Sequence, residues 1–131
     1  MNISLQNIGK AYKRHWLYQK LTYNFGPTGL YAILGENASG NSTLLRLIIG
    51  LETANEGSVD WQLDGKSLNI NNYYKHFSLA TPYQDIFEQL TLREHTEMQR
   101  KFKPLLGNMT TEEFAEKIEL SHALDKSIKN F

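Results

Sequence analysis

Residues 35–43, GENASGNST, are rich in glycines and in hydroxyl and amide side chains, and they lie between the apolar runs 30–34 and 44–49. Phosphate binding needs several backbone N–H groups that point into one concavity, together with the positive end of a following helix. Gly35 and Gly40 have the spacing that permits this backbone geometry. We therefore predict a phosphate-binding loop that connects a buried strand to a helix.

The polar side chains of this loop suit a nucleotide and its metal ion, with one defect. Ser42 is placed to hold Mg²⁺ through its hydroxyl, and Thr43 to bond a phosphate oxygen. The lysine that normally contacts the β- and γ-phosphates is replaced by Asn41. Asparagine donates a hydrogen bond but carries no charge, so we expect a loss of about 1.5–3 kcal/mol in binding. Hydrolysis should suffer more, because negative charge grows on the phosphoryl oxygens in the transition state.

The elements that position the loop are predicted from hydrophobic periodicity and turn residues. The predicted strands are 2–8, 16–25, 30–34, 57–63 and 77–80, and the predicted helix is 42–49. Gly50 is placed to cap the end of that helix, and Asp64-Gly65 is a hairpin turn signal. The run 30–34 is apolar on both faces, as expected of a parallel strand covered on both sides.

A helical segment follows at about residue 90. Thr91 could cap a helix over 91–102, with Glu94 as its capping-box partner. A second helix should begin at Thr110 or Thr111. Its expected buried stripe consists of Phe114, Ile118 and Leu120. The predicted fold class is α/β, with antiparallel N-terminal strands, a partial parallel sheet and a helical subdomain.

Composition excludes several other functions. The 131 residues carry 14 basic and 14 acidic side chains, so no strong field favours nucleic acid. The chain has no cysteine, and its four histidines share no metal-ligand spacing. No apolar window is long enough for a bilayer span, and the N-terminus lacks a secretory signal pattern. These features predict a soluble, intracellular protein.

The loop resembles the Walker A motif of ABC-transporter ATPases, Gly-x-Asn-Gly-x-Gly-Lys-Ser/Thr-Thr. The matching positions are Gly35, Asn37, Gly40, Ser42 and Thr43. Two positions depart from the motif, Ala38 and Asn41. The resemblance implies a P-loop NTPase-like fold with ATP and Mg²⁺ as cofactors. The nucleotide would contact Gly35, Asn37, Ala38, Ser39, Gly40, Asn41, Ser42 and Thr43.

Two residues outside the loop are implied by the same resemblance. Tyr12 lies where such proteins place an aromatic ring that stacks on adenine, with His15 and Trp16 as rival stackers. The stretch 77–84 is similar to the strand that leads to the Q-loop. Gln84 would then contact Mg²⁺ and the attacking water, with Gln89 as a weaker candidate.

The resemblance covers only the first part of a family domain: 1–90 as an incomplete ATP-binding core and 91–131 as the start of the helical subdomain. The signature, Walker B and switch motifs would lie further on. We therefore expect a truncated, association-prone fold that does not hydrolyse ATP alone.

The implied partners are a membrane subunit and, in the full-length form, a second nucleotide-binding domain in a head-to-tail dimer. The implied location is cytoplasmic, peripheral at the membrane. Two alternatives stay open. One is a degenerate, non-catalytic P-loop module, and the other is a small nucleotide or metabolite kinase.

Overall fold

A computed structural model describes residues 1–69, 73–81 and 86–131. The chain forms two compact units, Met1–Ser78 and Leu79–Phe131. The functional division predicted at residue 90 stays a prediction.

The first unit is built on a four-stranded antiparallel sheet. Its strands are β1 (Asn2–Tyr12), β2 (His15–Phe25), β3 (Glu56–Leu63) and β4 (Lys66–Ser67), in the order β2-β1-β3-β4. The strands predicted at 2–8, 16–25 and 57–63 are confirmed, and β1 continues four residues further than expected. Leu5 and Ile8 of β1 are fully buried, so the central strand carries the interior of this sheet.

Two backbone irregularities shape the sheet. Between the pairs Gln6↔Ser58 and Gly9↔Glu56, two residues of β1 lie opposite the single residue Gly57. Gly57 has a φ of 79°, which a glycine adopts without strain. At the other end of β3, Asp64 and Gly65 both have positive φ and form the two-residue hairpin turn that the sequence predicts.

The helix predicted at 42–49 is α1 (Asn41–Ile48). It ends as predicted at Gly50, which has a φ of 73°. The Gly50 N–H donates to the Leu47 carbonyl at 3.0 Å, and the Leu51 N–H donates to the Arg46 carbonyl at 2.8 Å. This pair of bonds is a Schellman motif. The indole of Trp61 donates to the Ile48 carbonyl at 2.7 Å and so ties β3 to the helix end.

The strands predicted at 30–34 and 77–80 are wrong, since neither segment is extended into the sheet. Leu30 and Leu34 are 101% and 88% exposed. Every strand pairing in the described residues is antiparallel, so the parallel part of the expected sheet is not formed there. An apolar run becomes a strand only when a neighbouring backbone supplies hydrogen bonds, and β1 is already paired on both sides.

The second unit contains α2 (Leu92–Phe102) and α3 (Thr111–Lys117). Both helices begin with a capping box; the sequence predicts the one at Thr91, and the one at Thr110 is added by the structure. Glu94 N–H donates to Thr91 Oγ1 at 3.1 Å, and Thr91 N–H donates to Glu94 Oε2 at 2.9 Å. Thr110, not Thr111, caps the second helix. These reciprocal bonds satisfy backbone N–H groups that a helix start leaves free.

The buried stripe predicted for α3 is only partly correct. Thr111 and Ala115 are buried, whereas Ile118 is 39% exposed. The helix ends at Lys117, with Ile118 as its C-cap, and Leu120 is half-buried. Phe114 is half-buried.

An ion cluster connects the two ends of this unit. Arg93 Nε donates to Asp125 Oδ1 at 2.6 Å, and Arg93 Nη1 also pairs with Glu112. The hydrogen bonds from Arg93 lower the pKa of both carboxyl groups. The cluster therefore favours the folded unit most where both carboxylates are ionised.

Candidate functional site

The loop before α1 makes a compact turn. Ser39 N–H donates to the Glu36 carbonyl at 3.1 Å, and Leu44 N–H donates to the Gly40 carbonyl at 2.8 Å, which starts the helix. Ala38 and Gly40 have φ values of 65° and 99°. Ala38 therefore occupies the left-handed region, where its side chain costs about 1–2 kcal/mol relative to glycine.

The two glycines allow close packing inside the loop. A Cβ atom at Gly35 would lie 2.5 Å from Ser39 Oγ and 3.0 Å from Asn41 Oδ1. A Cβ atom at Gly40 would lie 3.1 Å from Leu17 Cδ1 on β2. Glycine at both positions therefore lets the backbone approach its neighbours, which accounts for the spacing seen in the sequence.

The loop borders an open hollow of about 410 Å³, lined by Tyr12, Leu17 and residues 35–43. This volume lies in the range of small-molecule sites. The structure brings Tyr12 together with every loop residue predicted to contact the nucleotide, although the two segments are far apart in sequence. His15 and Trp16, the rival stackers, are not part of this lining. The Tyr12 side chain is 49% exposed.

The described residues place no cationic side chain in the hollow. Among those that line it, Glu36 is the only charged one. Asn41 Nδ2 donates to the Gly35 carbonyl at 3.4 Å and bridges the two ends of the loop. The hollow can therefore attract an anion through backbone N–H groups and the start of α1, but not through a lysine.

Neither nearby cation replaces the missing lysine. Lys10 Nζ donates to Glu52 Oε1 at 2.6 Å and to the Thr53 carbonyl at 2.7 Å. This hydrogen bond from Lys10 lowers the pKa of the Glu52 carboxyl. Arg46 is exposed and does not line the hollow. Sequence reasoning missed the partnership of Lys10 with Glu52, because the two residues lie 42 positions apart.

Tyr18 lies beneath the loop. Its ring is 3.4 Å from the position that a Cβ atom of Gly40 would take. Its hydroxyl is buried without a hydrogen-bond partner among the described residues. Burial, with smaller contributions from Tyr12 and Glu52, raises the pKa of Tyr18 to about 12. The hydroxyl thus stays neutral over the physiological range.

The predicted metal ligands have different outcomes. Ser42 lies in the lining of the hollow, whereas Gln84 lies outside the described residues. The described part of the chain has no cluster of three or more His, Asp or Glu side chains that could hold a metal ion by themselves.

No helix in residues 1–69, 73–81 and 86–131 is long and apolar enough to cross a membrane.

Comparison with known proteins adds three findings. The family model described as ABC transporter matches residues 18–131. The ABC-type transporter ATP-binding protein EcsA of Bacillus subtilis is 29% identical over 98 residues, which are 73% of this chain and 39% of that protein. The sulfate/thiosulfate import ATP-binding protein CysA of Halalkalibacterium halodurans is 26% identical over 132 residues, covering 96% of this chain and 35% of that protein. The chain thus spans well under half the length of these relatives.

Two solved structures share the fold. The ATP-binding subunit of an ABC transporter has a TM-score of 0.71 at 18% identity, covering 100% of this chain and 56% of that one. A nucleotide-free ATP-binding cassette from an ABC transporter has a TM-score of 0.67 at 20% identity, covering 100% of this chain and 59% of that one. These likenesses confirm the predicted P-loop NTPase-like fold class.

Proposed function

The chain belongs to the ABC transporter family, and from this premise we propose that it binds Mg-ATP as part of the ATP-binding subunit of a transporter. The observation that carries the proposal is the hollow of about 410 Å³, in which Tyr12 and the whole of the loop 35–43 meet. The backbone N–H groups of the loop and the start of α1 would bind the phosphates. The ring of Tyr12 would stack on the base.

The loop hydroxyls would complete the site. Ser42 would hold Mg²⁺ and Thr43 a phosphate oxygen, while the ion would neutralise phosphate charge that no lysine balances here. Residues 37–41, with Asn41 at the lysine position, would contact the polyphosphate. Gln84 is proposed to contact the ion and the attacking water, as in the Q-loop that it resembles.

The proposed partners follow from the family. The chain would act with a membrane subunit and with a second nucleotide-binding domain in a head-to-tail dimer, at the cytoplasmic face of the membrane. ATP hydrolysis would require these partners and the remaining motifs of the family.

A second candidate function is a non-catalytic module that binds ATP without turning it over. The lack of a cation among the described residues that line the hollow favours it, because charge stabilisation matters most in the transition state of phosphoryl transfer. Family membership gives the metabolite kinase alternative no support.

The test is a calorimetric titration of Mg-ATP into this chain and two variants. Asn41→Lys adds the charge, and Asn41→Ala removes the amide without adding one. We expect Asn41→Lys to bind about ten- to a hundredfold more tightly, and Asn41→Ala to stay within about threefold of the original chain. Equal affinity of all three chains, or no binding by any, would refute the proposed site. Phosphate release by the chain alone would refute the non-catalytic alternative.

A further inference from the structure

Lys10 is a buried cation beside the hollow that the proposed chemistry does not use. Its side chain extends from β1 and is 8% exposed. The ammonium contacts three groups: the Glu52 carboxylate at 2.6 Å, the Thr53 carbonyl at 2.7 Å, and the ring of Tyr12, whose centroid is 5.1 Å away. A buried ammonium is costly unless it is paired and hydrogen-bonded, so these contacts hold it in one place.

The three contacts connect separate parts of the site. Glu52 and Thr53 lie just beyond the turn that ends α1, and the first turn of α1 completes the phosphate loop. Tyr12 lies at the end of β1 and contributes the ring that lines the hollow. Through Lys10, the position of this ring is therefore linked to the element that carries the loop.

The contact between Lys10 and Tyr12 has the geometry of a cation–π interaction, since the ammonium lies over the ring within about 6 Å. Lys10 itself does not line the hollow, whereas Tyr12 does. The ring is about half exposed, so a fixed cation on one face limits its rotation. A ring that is already ordered loses less entropy when a ligand stacks on it.

We propose that Lys10 is a positioning residue for base recognition: its ammonium, held by Glu52 and Thr53, fixes one face of Tyr12 and leaves the other face for the base of a purine nucleotide. This inference rests on the proposed function of the hollow. It assigns to Lys10 an effect on the base and none on the phosphates.

The experiment compares two ligands, Mg-ATP and Mg-tripolyphosphate, by NMR titration of the chain. Tripolyphosphate keeps the charge of ATP but has no base to stack. We expect Lys10→Met to weaken Mg-ATP about three- to tenfold and to change tripolyphosphate binding less than about twofold. Lys10→Arg, which keeps a cation over the ring, should restore most of the ATP affinity.

Two further variants make the test specific. In Tyr12→Leu the ring is gone, so adding Lys10→Met should produce no further loss of ATP affinity. Glu52→Gln keeps the ammonium but weakens its anchor, and should show a smaller loss confined to ATP. This variant also decides the question if Lys10→Met fails to fold, as judged by its circular dichroism spectrum.

The outcomes separate the inference from the proposed function. Equal weakening of ATP and tripolyphosphate, unchanged ATP binding, or additive losses with Tyr12→Leu would overturn the role of Lys10 while leaving the nucleotide site intact. Failure of every chain, Asn41→Lys included, to bind either ligand would overturn both.

Discussion

Gly57→Ala is expected to destabilise the sheet that carries the site, for two reasons that add. Gly57 has a φ of 79°, where an alanine costs about 1–2 kcal/mol. Its Cβ atom would lie 2.2 Å from the Gln6 carbonyl oxygen and 2.4 Å from the Asn7 carbonyl oxygen. Because both are backbone atoms, the strands must move apart, at a cost of about 1–3 kcal/mol. Reduced entropy of the unfolded chain offsets about 0.4–1 kcal/mol, which leaves a net loss of about 2–4 kcal/mol.

Gly65→Ala is the matched control. Gly65 has a similar φ of 77°, but a Cβ atom there meets nothing within 4 Å. Only the backbone strain remains, so the expected loss is about 0.5–1 kcal/mol.

Urea unfolding followed by tryptophan fluorescence measures the difference, because both tryptophans, Trp16 and Trp61, lie in the first unit. The Gly57→Ala midpoint should fall well below that of Gly65→Ala. Equal midpoints would refute the close approach of Gly57 to the backbone of Gln6 and Asn7, and with it the path of β1 toward Lys10 and Tyr12.

Three further predictions concern the loop and the helical unit. Ala38→Gly should raise the free energy of unfolding by about 0.5–1 kcal/mol in urea, since it relieves the left-handed strain. Tyr18→Phe should leave stability unchanged or raise it by up to about 1 kcal/mol, since it removes a buried hydroxyl that has no partner among the described residues; a clear loss of stability would contradict this. Arg93 lowers the pKa of Glu112 and Asp125, so its stabilisation is present above their ordinary values of 4.5 and 3.8 and is lost as pH falls through the lowered ones. The urea midpoint, followed by circular dichroism over a pH series, should therefore fall less between pH 7 and pH 3 in Arg93→Met than in the original chain.

Local chemistry was enough to predict much of this fold. The capping box at Thr91, the helix start at Thr110 or Thr111, the Gly50 helix end and the Asp64-Gly65 hairpin turn depend on residues within one or two turns of each other. Their side chains and backbone preferences act before any tertiary contact forms. Such elements can therefore be located from the sequence alone.

The wrong predictions depend on partners that the sequence pattern does not specify. The run 30–34 has the composition of a buried strand, yet the strand state requires a neighbouring backbone, and Leu30 is fully exposed. Ile118 fits helical periodicity but falls one residue beyond the end of α3. In both cases the apolar character of the residues predicted burial. The exposure was determined instead by strand pairing in the first case and by helix length in the second.

The candidate site was predicted in part. The loop motif located residues 35–43, and the structure adds the left-handed φ of Ala38 and the bridge from Asn41 to Gly35. The contacts of Lys10 with Glu52 and Thr53 could not be read from the sequence, because they join β1 to a segment more than 40 residues away. A lysine two positions before a predicted stacking ring was the only local signal.

The most direct test of the account is the pattern of backbone amide shifts when Mg-ATP is titrated into the labelled chain. We predict that the largest NMR shift changes fall on residues 35–43, and that Tyr12 ring protons shift with them but do not respond to tripolyphosphate. Saturating changes elsewhere, with the amides of the loop unmoved, would contradict the claim that this backbone binds the nucleotide's phosphates.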